Sequence, residues 1–231
     1  MLLLAHVLQL NPAVLLHWQA LPDLGEAHWR ELAALPWMGL IANTLLLTLV
    51  AASLAVGGAP CLLLVVAPWP LGRLGLRGLW LLGRLWPPPL TALLLLFVLK
   101  PGVLPAALAL GLHNGGILGR LMWEGLQDRH LPAAQALICG GCGPRQAFLY
   151  GELPPLARPY LAYGAYRADV ILRETVVVGL AGAAGLGSQL LESLSSFAWD
   201  QVLALVLVYG SLTLIGEQLS DRLRMGWLAT N

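Results

Sequence analysis

The sequence predicts an all-α integral membrane protein with about six transmembrane helices. Of its 231 residues, 58% are hydrophobic and only 11% are charged, whereas a soluble domain is about 25% charged. The apolar residues also come in long uncharged runs, which favour membrane helices over the alternating strands of an outer-membrane barrel. The formal net charge of +1 excludes a protein that binds nucleic acid through a basic surface.

Charges, prolines and glycine clusters divide the chain into six candidate spans, because a helix needs about 20 residues to cross the hydrocarbon core. The first is the weak segment 1–18, which Asn11-Pro12 interrupts. With an external loop it forms a predicted N-terminal segment, residues 1–35. The second span, 38–66, contains no charge. The other four are predicted at about 87–100, 103–122, 155–187 and 199–219.

The basic residues predict the orientation of these spans. Nine of the 13 Lys and Arg residues fall in the intervals 73–84, 120–158 and 222–224, which the six spans place on one side of the membrane. The positive-inside rule assigns that side to the cytoplasm. We therefore expect a multi-pass protein of the cytoplasmic (inner) membrane, surrounded by the lipid bilayer, with a cytoplasmic C-terminus.

The three cysteines predict no metal site. Cys139 and Cys142 form a single CxxC pair, and a zinc site needs a second pair of ligands. We interpret the cysteines as small apolar packing residues. We therefore expect no metal or cofactor in this chain.

The longest polar interval of the membrane-spanning part is residues 123–158, on the predicted cytoplasmic side. It contains a predicted short helix from Pro132 to Ile138, ended by Gly140-Gly141, and a second helical piece from Pro144 to Tyr150. Small surface residues bury little area in lipid, so they favour close docking against another protein. On spacing alone, a simple connecting loop is the alternative.

Span five carries four charged residues, Arg167, Asp169, Arg173 and Glu174. A charge near the bilayer centre costs at least about 2.5 kcal/mol, so these side chains must face protein or water. Asp169 and Arg173 are four residues apart on one helix face and can neutralise each other. The functional alternative is that Arg167 or Arg173 lines an aqueous path for an anionic solute.

Two motifs resemble known transporters. Gln135-Ala136-Leu137, then Gly141, then Leu153-Pro154 has the spacing of the "EAA" segment of ABC importer permeases, with Gln135 in place of Glu and Gly151 in place of an aliphatic residue. The segment YRADVILRETVVVGLAGAAGLG, residues 166–187, resembles more specifically the permease subunits of phosphonate ABC importers. The resemblance covers about residues 36–225 and implies a type I ABC importer permease domain there, with a coupling segment at 123–158.

The resemblance also implies roles for individual residues. Those of the coupling segment would contact a cytoplasmic ATPase: Gln135, Ala136, Leu137, Gly141, Leu153 and Pro154. Polar residues of spans two and four join the four charged residues as candidates for the translocation path: Asn43, Thr44, His113 and Asn114. The Pro87-Pro88-Pro89 run departs from the family, which usually has Pro-Glu there.

The implied function is that of a permease subunit of an ATP-driven importer for phosphonate or a related phosphorus oxyanion. The chain would be a transport subunit and not an enzyme. Two copies of a partner ATPase would bind ATP and Mg and hydrolyse the ATP. The implied partners are a second permease copy and a periplasmic or lipid-anchored solute-binding protein. The alternatives are a methionine-type importer permease, an ion-coupled secondary carrier, and a membrane enzyme using His113 with Asn114.

Overall fold

The computed structural model describes residues 31–66, 69–128, 132–179, 182–183 and 185–229. Throughout these ranges the regular structure is helical and contains no strand. The weak first span predicted at 1–18 lies outside the described residues. A helical turn at 31–34 precedes the first long helix.

Nine helices and one π-helical turn follow that turn in the described part of the chain. Four of them are long: α1, Trp37–Val66; α4, Val103–Asp128; α7, Leu153–Val178; and α9, Trp199–Ala229. The shorter ones are α2, Pro70–Leu85; α3, Pro88–Leu95; α5, Pro132–Cys139; α6, Pro144–Ala147; and α8, Leu186–Ser195. The π-helical turn, Phe148–Glu152, joins α6 to α7.

Helix α4 lies at the centre of the bundle and packs on α1, α2, α3 and α7. Its contact with α1 is made by small residues. Ala51 and Ala55 of α1 are completely buried, and a Cβ atom on Gly111 of α4 would lie 2.9 Å from the Cβ of Leu54. Small residues let helix backbones approach closely, as in membrane proteins generally.

The predicted third span contains a helix that starts at Pro88, as predicted, but ends early at Leu95, and an unpredicted helix precedes it. We predicted a span from Pro87 to Lys100, but the structure begins a helix at Pro70 and breaks it at Trp86, whose backbone is extended. Proline disfavours the α conformation in the residue before it and removes a backbone donor. The break therefore lies where the span was predicted to begin. The helix before it carries three arginines, which is why a search for uncharged runs assigned it to a loop.

Helices α2 and α3 together run antiparallel to α4. Gly119 of α4 lies against the indole of Trp80, and a Cβ on Gly83 of α2 would lie 2.9 Å from the carbonyl oxygen of Leu112. Ala92 of α3 is buried in the same core. Two helices in sequence, α2 and then α3, therefore pack along α4.

The remaining spans differ from prediction mainly at their ends. Helix α1 matches the predicted second span to within one residue. Helices α4 and α9 extend to Asp128 and Ala229, beyond the predicted ends. Helix α7 ends at Val178, short of the predicted 187. Two of the described helices, α1 and α9, are long and apolar enough to cross a membrane by the criteria of length and composition.

The glycine-rich stretch after α7 reverses the chain and leads into α8. We did not predict this helix. Gly182 has φ +71°, a left-handed conformation that favours glycine. A Cβ on Gly179 would lie 2.6 Å from the carbonyl carbon of Gly187. The two ends of the reversal are therefore in backbone contact, which accounts for glycine at both.

Candidate functional site

The four charged residues of α7 lie on two sides of the helix. Arg167 and Glu174 are seven residues apart, which is about two turns, and both face α4 through Asn114. Asp169 and Arg173 are four residues apart and face α9. Helix α7 therefore carries one polar cluster toward α4 and another toward α9.

Asn114 is the centre of the cluster between α4 and α7. Its side chain is completely buried, and its Nδ2 donates to Glu174 Oε2 at 2.8 Å and to the carbonyl oxygen of Leu110 at 3.0 Å. Its Oδ1 accepts from Arg167 Nε at 2.9 Å and from Arg167 Nη2. The amide thus links a cation and an anion within the bundle.

Arg167 and Glu174 complete this cluster as a loose ion pair. Arg167 Nη2 lies 3.8 Å from Glu174 Oε1, and the two side chains are 12% and 27% exposed. Paired charges are what a low-dielectric interior requires. The structure therefore brings together three of the predicted path residues, while their role in transport stays a prediction.

The second cluster ties α7 to α9. Arg173 Nη2 lies 2.9 Å from Asp169 Oδ2 and 3.2 Å from Glu217 Oε2 of α9. The Asp169 side chain is 5% exposed, whereas that of Arg173 is 46% exposed. The predicted neutralising pair of Asp169 and Arg173 is therefore present, and Glu217 adds a second carboxylate to it.

Asn43, Thr44 and His113 do not join the Asn114 cluster among the described residues. Thr44 is buried, donates to the carbonyl oxygen of Leu40 at 2.8 Å, and accepts from the backbone N–H of Leu186 at 2.9 Å. It therefore fastens the start of α8 to α1. His113 Nδ1 lies 3.2 Å from the carbonyl oxygen of Trp86, at the break between α2 and α3. Asn43 is partly exposed.

The coupling segment contains the predicted helix, α5, and its predicted glycine end. Gly141 has φ +87°, its N–H donates to the carbonyl oxygen of Ile138 at 3.0 Å, and the N–H of Cys142 donates to that of Leu137 at 2.9 Å. This pair of bonds is a Schellman motif. It fixes the direction in which the chain leaves α5.

Helix α5 packs closely against the π-helical turn at Gly151, a residue that departs from the family motif. A Cβ on Gly151 would lie 2.6 Å from the Cα of Ala134 in α5. Phe148, in the same π-helical turn, is 2% exposed. A glycine inside an otherwise helical stretch is the sequence signal of such a close approach.

Most of the predicted coupling residues are exposed. Gln135, Ala136, Gly141 and Pro154 are exposed, whereas Leu137 and Leu153 are partly buried. Two large apolar side chains of the same segment are also exposed, Ile138 at 56% and Tyr150 at 68%. An exposed apolar patch on a firmly seated short helix is typical of a protein-docking surface.

Most of the described chain, including the Asn114 cluster and the coupling segment, matches a known family. Residues 64–224 match the family described as "Binding-protein-dependent transport system inner membrane component". The chain belongs to this family. Members of this family are inner-membrane components of transport systems, in agreement with the two long apolar helices of the chain.

Several relatives of this chain have names that refer to the transport of phosphorus compounds. A Stutzerimonas stutzeri protein named as a phosphite transport system permease, HtxE, is 32% identical over 148 residues, 64% of this chain and 57% of that protein. The phosphate-import permease PhnE of Mycolicibacterium smegmatis is 30% identical over 176 residues, 74% and 33% of the two chains. An Escherichia coli protein named as a cryptic phosphonate transport system permease is 33% identical over 118 residues, 51% and 96%. The chain spans about half the length of the first curated relatives it matches.

Solved structures share the fold of this chain. An amino acid ABC transporter crystallised with histidines has a TM-score of 0.65 at 18% identity, over 81% of this chain and 92% of that one. The inward-facing methionine transporter MetNI has a TM-score of 0.63 at 15% identity, over 82% and 94%. These likenesses confirm the predicted all-α fold of a type I ABC importer permease.

Proposed function

We propose that the chain is the membrane-spanning permease subunit of an ATP-driven importer that carries phosphonate or a related phosphorus oxyanion into the cytoplasm. Family membership supports the transport role, and the names of the relatives support phosphite, phosphonate or phosphate as the cargo. The observation that carries the proposal is the coupling segment, an exposed helix on a tightly packed base.

The exposed side of α5 is the proposed docking surface for a cytoplasmic ATPase. Gln135, Ala136, Gly141 and the apolar Ile138 are available to a partner there. The contact between Gly151 and Ala134 leaves α5 little freedom to move separately from α7. Movement of the ATPases on binding ATP would therefore be passed to α7. The partner would bind ATP and Mg, and this chain would break no bond itself.

Arg167 is the proposed interaction site for the anionic cargo within the path. Its charge is balanced at 3.8 Å by Glu174 and held in place by the neutral Asn114. A phosphorus oxyanion accepts bidentate hydrogen bonds from a guanidinium, so it can replace Glu174 as the partner of Arg167. The proposed homodimer would place two such clusters around one path. Arg173, Asp169, Asn43, Thr44 and His113 are the remaining candidates.

The proposed orientation follows the basic residues. The coupling segment and the end of α9 would lie in the cytoplasm, and the turns before α4 and α8 would lie outside. A periplasmic or lipid-anchored solute-binding protein would deliver the cargo to that outer side. ATP binding would then shift the population of conformations toward an outward-open path, and hydrolysis would reset it.

Uptake into proteoliposomes tests the proposed function. The permease is co-purified with its ATPase, reconstituted with the solute-binding protein, and supplied with radiolabelled methylphosphonate, phosphite, phosphate or methionine. We expect ATP-dependent uptake of at least one phosphorus compound and none of methionine. Uptake of methionine would favour the methionine-type importer, and uptake driven by an ion gradient without ATP would favour a secondary carrier.

A further inference from the structure

A cavity of about 490 Å³ lies between α2 and α4 and is lined by charged residues away from α5 and from the Asn114 cluster. Helix α2 contributes Arg77 and Arg84, and α4 contributes Arg120, Trp123 and Glu124. Trp123 and Glu124 lie at the start of the predicted coupling segment, but neither α5 nor the Asn114 cluster contributes to the lining. Its ligand chemistry therefore has to be read from these five residues.

The charges in this lining do not balance. Three guanidinium groups face one carboxylate, that of Glu124, which Arg120 Nε binds at 2.5 Å. Among the described residues, neither Arg77 nor Arg84 has an ion-pair partner. Side chains lean toward the N-terminus of their own helix, and α2 and α4 are antiparallel. Arg84 on α2 and Arg120 on α4 therefore lean toward each other, although both are positive.

Trp123 adds an unused hydrogen-bond donor. Its Nε1 is buried and has no hydrogen-bond partner within the described ranges, although buried polar groups are nearly always paired. The guanidinium carbon of Arg77 lies 5.1 Å from the centre of the Trp123 ring, a cation–π distance that holds both side chains in place. The cavity is therefore rich in donors and positive charge and poor in acceptors.

We propose that this cavity binds a phosphate group, and that an anionic phospholipid headgroup supplies it. Arginine is the residue best suited to bind phosphate because its planar donors match two phosphate oxygens. A lipid is favoured over a free anion because Leu74 and Leu81, which also line the cavity, are 62% and 52% exposed. These leucines offer the acyl chains an apolar surface beside the headgroup.

The depth of the site also fits a lipid. In the proposed orientation α2 begins at the cytoplasmic surface, where basic pockets between membrane helices bind anionic headgroups. This placement rests on the proposed orientation, whereas binding of the phosphate group rests on the lining residues alone. A test of binding on the purified permease therefore separates this inference from the proposed transport function.

The test measures lipid retention by native mass spectrometry. The detergent-purified permease complex is incubated with phosphatidylglycerol or with phosphatidylcholine, which has the same phosphate but no net charge. We expect preferential retention of phosphatidylglycerol. Arg84→Gln should weaken it about tenfold, as expected for loss of a charge-assisted hydrogen bond, and Trp123→Phe should weaken it less. Arg73→Gln is the matched control, because Arg73 is a basic residue of α2 that does not line the cavity, and should leave retention unchanged.

A second arm distinguishes the source of the phosphate. Delipidated permease is dialysed against radiolabelled inorganic phosphate, and no saturable binding that depends on Arg84 is expected. The lipid assignment would be overturned in favour of a soluble anion if inorganic phosphate bound in an Arg84-dependent way and the permease retained phosphatidylglycerol and phosphatidylcholine equally. Equal retention of both lipids by the wild type, Arg84→Gln and Trp123→Phe, with no phosphate bound, would overturn the whole proposal. Size-exclusion chromatography shows that each variant is assembled.

Discussion

At the scale of single residues, Arg167 is held more closely by a neutral amide than by its counter-charge. Asn114 Oδ1 accepts from Arg167 Nε at 2.9 Å, whereas Glu174 lies 3.8 Å from the guanidinium. A tight ion pair in a low-dielectric interior would resist exchange with a third charged group. The looser arrangement keeps Arg167 in position and leaves it able to change partners.

We predict that Arg167→Gln abolishes uptake and lowers stability. Removing Arg167 leaves Glu174 without its counter-charge in a partly buried position, which we expect to cost about 1–3 kcal/mol. The double variant Arg167→Gln with Glu174→Gln removes both charges and should recover assembly in detergent but not uptake. Thermal unfolding and reconstituted uptake measure the two effects.

The comparison variant is Arg173→Gln. Arg173 is also a charged residue of α7, but its side chain is 46% exposed and has two carboxylate partners. We expect it to slow uptake of the anionic solute less than Arg167→Gln does. Restored uptake in the double variant, or a larger effect at Arg173, would remove Arg167 from the path.

A second prediction at this scale concerns Thr44. Thr44→Val keeps the shape of the side chain but leaves the buried N–H of Leu186 without its acceptor, which costs about 1–3 kcal/mol. We expect a matching loss of thermal stability. Thr48→Val is the control, because Thr48 bonds only the carbonyl oxygen of Thr44 within its own helix. Equal losses in the two variants would contradict the tie between α1 and α8.

At the scale of elements, the coupling segment is fixed by backbone contact. The Cα of Ala134 in α5 and the backbone of Gly151 approach so closely that no side chain fits between them. The hydrogen bonds at Gly141 fix the exit from α5. Because both contacts are made by backbone atoms, the shape of the segment depends little on the surrounding surface residues.

We predict that Gly151→Ala uncouples ATP hydrolysis from uptake. The new Cβ would lie 2.6 Å from Ala134 Cα, so α5 must move away from α7. Gly143→Ala is the control, since a Cβ at Gly143 meets nothing within 4 Å. We expect ATPase activity to remain while uptake falls about tenfold or more in Gly151→Ala alone. Normal uptake by Gly151→Ala would show that the close contact between Gly151 and Ala134 is not needed for coupling.

The sequence predicted some elements well for clear physical reasons. Helix α1 contains no charge, so hydropathy alone locates it, and the Gly140-Gly141 pair marks the end of α5. Helix α2 was missed because its arginines interrupt the apolar run, although one side of the helix packs on α4. The contact between Arg167 and Asn114 joins residues 53 positions apart, and no local pattern indicates such a pairing.

At the scale of the whole molecule, the arrangement of helices predicts which regions face the same side of the membrane. Cys139 is exposed at the end of α5, and Ser196 is exposed between α8 and α9. These two positions lie at opposite ends of α7 along the chain. In the proposed orientation, the first is cytoplasmic and the second is external.

We predict that a membrane-impermeant maleimide labels Cys139 only in inside-out vesicles. A Ser196→Cys variant, in a background with all three native cysteines replaced, should be labelled only in intact spheroplasts. The background without the new cysteine is the control for labelling of other groups. Labelling of Cys139 from outside would reverse the orientation and place the coupling segment away from any cytoplasmic ATPase.

The helical path from Pro144 to Val178 runs without interruption through α6, the π-helical turn and α7. Near its middle, the Tyr160 hydroxyl donates to the carbonyl oxygen of Val56 at 2.6 Å, which pins this rod to α1. At about 1.5 Å per residue, Gly151 lies about 14 Å from the pin and Arg167 about 10 Å beyond it. In the proposed coupling, Tyr160 would act as the fulcrum of this rod. We expect a sideways push near Gly151 to move Arg167 in the opposite direction by about three-quarters of the distance.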